Sequence, residues 1–80
     1  MTCYVYVLRA VTVTGVRTYV GWTTDLDRRL GRHNAGTGAK STRGRVWELH
    51  YAERYSDQRE AMSREWRLKR DKAFRKLLAK

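Results

Sequence analysis

Two alternating segments joined across one glycine turn constrain this chain more than any other feature. Cys3 to Arg9 (Cys-Tyr-Val-Tyr-Val-Leu-Arg) alternates and is rich in β-branched and aromatic residues, and Val16 to Gly21 follows after Thr14-Gly15. Such a pair reads as an antiparallel hairpin. Period-two geometry sets Cys3, Val5 and Val7 on one side of the first strand and Tyr4, Tyr6 and Leu8 on the other, and puts Tyr19 and Gly21 on a shared face. A lone hairpin is marginal in water, so the remaining residues must cover it.

Those residues read as helices and one more strand. Thr24 reads as a helix N-cap, with Asp25 and Asp27 in the electropositive first turn. Leu26, Arg29, Leu30 and His33 follow i, i+3, i+4, i+7 spacing on one helix side, and Arg28 and Arg32 lie off it. The helix should stop near Asn34, where Ala35-Gly36-Thr37-Gly38 begins a loop reaching to residue 45. Val46 to Glu53 alternates again as a third strand. Asp57 with Glu60 makes a capping start for a helix from about Gln58 to Arg70, in which Ala61, Glu65 and Leu68 align and Met62 and Trp66 lie one step round. A last helix places Phe74, Leu77 and Leu78 on one face; Asp71 either caps it or lies inside one merged helix. The expected fold is α+β: a single domain over residues 1–80, with a three-stranded antiparallel sheet flanked by helices in the order β-β-α-β-α-α. One sheet face packs helices, and the other, or its edge, is left as a polar working surface.

Charge points to the partner. Eighteen Lys+Arg stand against eight Asp+Glu, a net +10 on 80 residues, and arginine outnumbers lysine 13 to 5. A field of that sign draws polyanions, and the planar guanidinium grips phosphate in two-pronged fashion. With one cysteine, Cys3, no internal disulfide forms, and with only two histidines a structural zinc site is not expected. No apolar run reaches transmembrane length and no signal pattern opens the chain, so a soluble, cytoplasmic protein with no membrane partner is expected.

Phosphodiester hydrolysis needs a base for water, a cation on the phosphate and stabilisation of the leaving oxygen. Tyr6 and Tyr19 are base or positioning candidates, although a free phenol is ionised only about one part in a thousand at neutral pH and needs a nearby cation. Arg29, on the inward helix side, is the phosphate clamp, and His33 one turn on accepts or relays a proton. Glu65 is a carboxylate aligned with apolar Ala61 and Leu68, a costly placement unless it is paired or binds metal. One such carboxylate suffices for magnesium. The alternative for Glu65 is an ion pair with Arg64 or Lys69. The loop carrying Lys40, Ser41, Thr42, Arg43 and Arg45 is glycine-rich and basic, suited to a phosphate backbone. Trp22, Trp47 and Trp66 are stacking candidates that a domain this small draws mostly into its core.

In this arrangement the chain resembles the GIY-YIG endonucleases over essentially its full length. Tyr4-Val5-Tyr6 stands where the family has GIY and Tyr19-Val20-Gly21 where it has YIG; Gly21, Thr23, Asp25, Leu26, Arg29, Leu30, His33 and Asn34 meet the pattern downstream. Gly36 to Gly44 resembles the small stand-alone bacterial branch, the YhbQ-like proteins, and Glu65 falls at the glutamate of the family's second helix. The accessory DNA-binding domain of larger relatives such as UvrC has no counterpart here. The resemblance implies a metal-dependent endonuclease acting on DNA, structure-selective or weakly specific, with branched, flap or single-stranded DNA as candidates and RNA left open. By position, Tyr6 and Tyr19 flank the attacking water, Arg29 contacts the scissile phosphate, His33 assists, and Glu65 holds one Mg²⁺ or Mn²⁺. Thr23, Arg28, Arg32 and Asn34 join the loop in contacting nucleic acid. A basic module that binds nucleic acid without cutting it explains the charge equally well, and needs neither Glu65 nor the tyrosine pair.

Overall fold

A computed structural model describes residues 2–38 and 44–79. The elements are β1 (Cys3–Thr12), β2 (Gly15–Thr23), α1 (Leu26–Asn34), β3 (Glu48–Tyr55), α2 (Gln58–Arg70) and α3 (Lys72–Leu78). The sheet order is β2-β1-β3, with both pairings antiparallel. The hairpin is longer at both ends than the alternation alone suggests, and it turns through Gly15, whose φ of +130° suits glycine.

β1 is the central strand, so its two faces build two cores. Cys3, Val5 and Val7 join Val20 beneath Ala61 and Leu68 of α2, with Phe74 and Leu78 of α3 packed against them. On the other face Tyr6, Leu8 and Ala10 pack with Trp47, Tyr19, and Leu26 and Leu30 of α1. The expected alternation holds residue by residue. Of the two expected places for a polar working surface, the open second face is not found: α1 and Trp47 pack on it, which leaves the sheet edge. Leu77, placed with the core from its spacing, is instead exposed.

Three boundaries move for physical reasons. The cap of α1 is Asp25, not Thr24: the Asp25 carboxylate accepts from Arg28 N at 3.1 Å, and the hydroxyl of Thr23 folds the preceding turn by bonding Asp25 N (3.1 Å) and O (3.2 Å). β3 begins at Glu48, two residues later than its alternation suggests, because the backbone of Trp47 is taken by Asn34. The Asn34 carboxamide accepts from Trp47 N at 2.6 Å and donates to Trp47 O at 2.9 Å, in place of a strand partner. β3 also carries a register shift opposite Val7/Leu8: Val7 pairs Tyr51 and Leu8 pairs Leu49, leaving His50 unmatched. That extra residue turns Leu49 and Tyr51 to opposite sheet faces. α2 keeps the expected range, and Asp71 breaks it from α3 by accepting from Phe74 N at 3.0 Å.

Candidate active site

Cross-strand pairing creates the centre of the site. Tyr6 on β1 lies opposite Gly21 on β2. The missing side chain of Gly21 is the space that the Tyr6 phenol occupies: a Cβ there would stand 2.5 Å from Tyr6 Oη and 3.2 Å from Tyr19 Cε1. The two tyrosine rings lie 6.4 Å apart, centroid to centroid. α1 then delivers His33, 1 % exposed, whose ring sits 4.8 Å from that of Tyr19 and whose Nε2 is 3.0 Å from Tyr6 Oη. Gly38 closes over the far side of the imidazole, where a Cβ would come within 2.6 Å of Nδ1. Two glycines thus shape the cavity around a phenol–imidazole pair.

Two opposite charges bear on this pair from different elements. Burial pushes the Tyr6 hydroxyl well above its ordinary value near 10; the neighbouring Tyr19 and Glu65 push the same way, and Arg29 opposes them. Tyr19 is raised by burial and Glu65 and drawn back by Arg29. Burial, with the Arg29 cation beside it, holds His33 below its ordinary 6.5, so the imidazole is neutral at physiological pH. Arg29 from α1 and Glu65 from α2 therefore bear electrostatically on both phenols, while Tyr6, Tyr19 and His33 are in direct ring or hydrogen-bond contact. In the tautomer that carries its ring proton on Nδ1, neutral His33 accepts a hydrogen bond from the Tyr6 hydroxyl at Nε2; in the other, Nε2 donates to Tyr6 Oη.

Arg29 leads outward into a cavity of about 250 Å³ lined by Thr23, Thr24, Asp25, Arg28, Arg29 and Arg32. It has no carboxylate within ion-pair distance among the described residues, and it lines the cavity. Glu65 is held loosely by Lys69, 3.7 Å away at i+4, one of the alternatives read from the sequence. Among the described residues no three His, Cys, Asp or Glu side chains gather as a ready metal cage. The donor set fits an ion that takes one carboxylate and completes its shell with water and phosphate oxygens.

The expected nucleic-acid contacts divide. Arg28 and Arg32 are exposed along the cavity, as expected of residues off the inward helix side. Thr23 borders the cavity, but its hydroxyl is committed to the turn. The Asn34 carboxamide bonds the backbone of Trp47 through both its oxygen and its nitrogen, ahead of β3. Arg45 is half-buried, and Lys40, Ser41, Thr42 and Arg43 lie outside the described residues. Trp47 belongs to the core with Tyr6 and Leu8, and Trp22 packs against the other core beneath α2, whereas Trp66 is 58 % exposed with the Arg70 guanidinium 3.9 Å over its ring.

One polar cluster went unread in the sequence. Arg64 donates to Glu53 from Nε (2.8 Å) and Nη2 (3.0 Å), Tyr55 donates at 2.6 Å, and Tyr51 donates to Oε2. These donors, Arg64 foremost, draw the Glu53 carboxyl down to about 2. The alternation Tyr51-Glu53-Tyr55 on one strand face was its only local signal. The cluster locks β3 to α2 and fixes the helix that carries Glu65. It also takes Arg64 out of reach of Glu65.

This fold belongs to a family of nuclease domains. Residues 2–77 match the GIY-YIG catalytic domain, and the chain belongs to that family. Among individual proteins, it is 52 % identical over 52 residues to a UPF0213 protein of Halobacterium salinarum, covering 64 % of this chain and 68 % of that one. It is 41 % identical over 75 residues to a UPF0213 protein of Oceanobacillus iheyensis, covering 92 % and 84 %. The solution structure of a UPF0213 protein from Bacillus halodurans superimposes with a TM-score of 0.54 at 38 % identity, covering 98 % of this chain and 82 % of that one. No helix among the described residues is long and apolar enough to cross a membrane.

Proposed function

We propose that the chain is an endonuclease that hydrolyses phosphodiester bonds in DNA using one divalent metal at Glu65. The observation that carries this reading is the Tyr6–His33 bond at 3.0 Å inside a site on which Arg29 and Glu65 both act.

The chain's own groups account for the chemistry as follows. A backbone phosphate enters the arginine-lined cavity and Arg29 takes its charge. Water near the phenols gives a proton to Tyr6 Oη as Tyr6 passes its own to His33 Nε2. The hydroxide formed attacks phosphorus, the bond to the leaving ribose oxygen breaks, and solvent protonates that oxygen. Tyr19, more exposed than Tyr6, orients the water. A phenol raised by burial is a poor base alone, so the step needs positive charge at the phosphate; Mg²⁺ or Mn²⁺ held by Glu65 would supply it and stabilise the leaving oxygen. His33, kept neutral by burial and Arg29, is in the protonation state that accepts a proton, and the same two influences favour its giving the proton up again.

A panel of labelled duplex, single-stranded, flap and four-way DNA, with matched RNA, tests this reading with and without Mn²⁺. Metal-dependent cutting of at least one DNA form is expected, strongest at irregular structure. Binding with every substrate intact after prolonged incubation with Mn²⁺ favours the non-catalytic module instead.

A further inference from the structure

We propose that the opposite face of the β2 edge carries a second phosphate-binding basin, built from Thr18, Lys72, Arg75, Lys76 and Ala79, that holds the nucleic-acid backbone away from the scissile bond. This rests on the nucleic-acid reading above and adds a separate contact to it. α3 docks on β2 through Arg75, whose Nη1 donates to Lys69 O at 2.9 Å and whose Nη2 donates to Thr18 Oγ1 at 3.3 Å. Its Nε is buried and meets no acceptor. A buried donor without a partner is costly, and an anionic oxygen would relieve it. Beside it lies a cavity of about 260 Å³ to which Lys72 and Lys76, one helical turn apart and both exposed, contribute. None of these three cations has a carboxylate within ion-pair distance among the described residues. A positive cavity with a hydroxyl and an unpaired guanidinium N–H has the chemistry of a phosphate seat.

Its placement fits one continuous backbone. β2 is an edge strand, and Thr18 faces away from the side that Tyr19 faces. The catalytic cavity borders the same strand at Thr23. Five strand residues separate Thr18 from Thr23, about 17 Å, which is about five nucleotide steps of a duplex strand at roughly 3.4 Å each. A nucleic acid crossing the β2 edge meets both basins.

The test is binding to DNA duplexes without divalent metal, read as the slope of log affinity against log salt. It compares wild type, Lys72→Ala/Lys76→Ala, and a control pair of exposed arginines elsewhere, Arg54→Ala/Arg59→Ala. Losing one phosphate contact lowers the slope by about 0.9, so the lysine pair should show that decrease and the control pair should not. Wild type should also gain affinity when the duplex lengthens past about five steps, a gain the lysine variant lacks. An unchanged slope, or an equal decrease in both variants, overturns the basin while leaving the catalytic proposal intact. Wild type that binds no nucleic acid overturns both. Lysine-dependent retention on phosphatidylglycerol vesicles with an unaltered DNA slope assigns the basin to lipid headgroups and overturns it too.

Discussion

Gly21→Ala should damage stability and catalysis together, although it adds only a methyl group. Its Cβ would stand 2.5 Å from Tyr6 Oη and 2.7 Å from Tyr6 Cζ, closer than atoms tolerate. Tyr6 is 2 % exposed and its hydroxyl is bonded to His33, so the ring cannot swing into solvent. Overpacking of this kind costs about 1–3 kcal/mol, and losing the phenol–imidazole bond adds about 1 kcal/mol. Restricting the unfolded chain returns about 0.4–1 kcal/mol. The net loss of about 2 kcal/mol corresponds to roughly 8–16 °C in a domain this small. The assay is thermal melting of Gly21→Ala, Tyr6→Phe and the double variant. Removing the hydroxyl removes the nearest clashing atom, so the double variant should recover part of the loss and the energies should fail to add. Strict additivity, or a Gly21→Ala melting point within 2 °C of wild type, would refute the reasoning that Gly21 exists to seat Tyr6.

Gly31 is the contrasting case: a Cβ on this α1 residue meets nothing within 4 Å. Gly31→Ala should therefore raise stability by about 0.5–1 kcal/mol, and a lowered melting point would contradict it. Glu53→Gln should lower stability by about 3 kcal/mol at neutral pH. The Glu53 carboxyl falls from 4.5 to about 2 on folding, so its contribution is present above pH 4.5 and lost as pH falls toward 2; wild type and variant should converge there, and a gap independent of pH contradicts the clamp. His33 titrates below its ordinary 6.5 in the folded chain, so the unfolded chain protonates first and stability declines as pH drops below about 6.5. His33→Gln should remove that decline in pH-dependent melting. Its persistence would assign the decline to another group.

What the sequence made legible was local. Alternation and helical spacing located the hairpin, the two faces of β1 and the inward side of α1, because each is set by neighbours a few residues away. α2 was bounded by its own capping residues. The start of β3 depends on Asn34 gripping Trp47 across 13 residues, and the unmatched His50 depends on pairing with β1; no periodicity records either. The same holds for the site. Tyr6, Tyr19, Arg29, His33 and Glu65 could be named from spacing and resemblance, but the seats provided by Gly21 and Gly38, and the Glu53–Arg64 clamp, are contacts between elements. Thr23 and Asn34 match the family pattern, yet their polar groups are committed to holding the chain's turns.

Glu65→Gln reports most directly on the central claim, because it removes a charge while keeping the shape of a half-buried side chain. The measurement is single-turnover cleavage of a labelled DNA substrate in Mn²⁺ alongside binding of the same substrate without metal. The account predicts a loss of cleavage of at least about 100-fold with binding preserved. Full cleavage by a folded Glu65→Gln protein would contradict it.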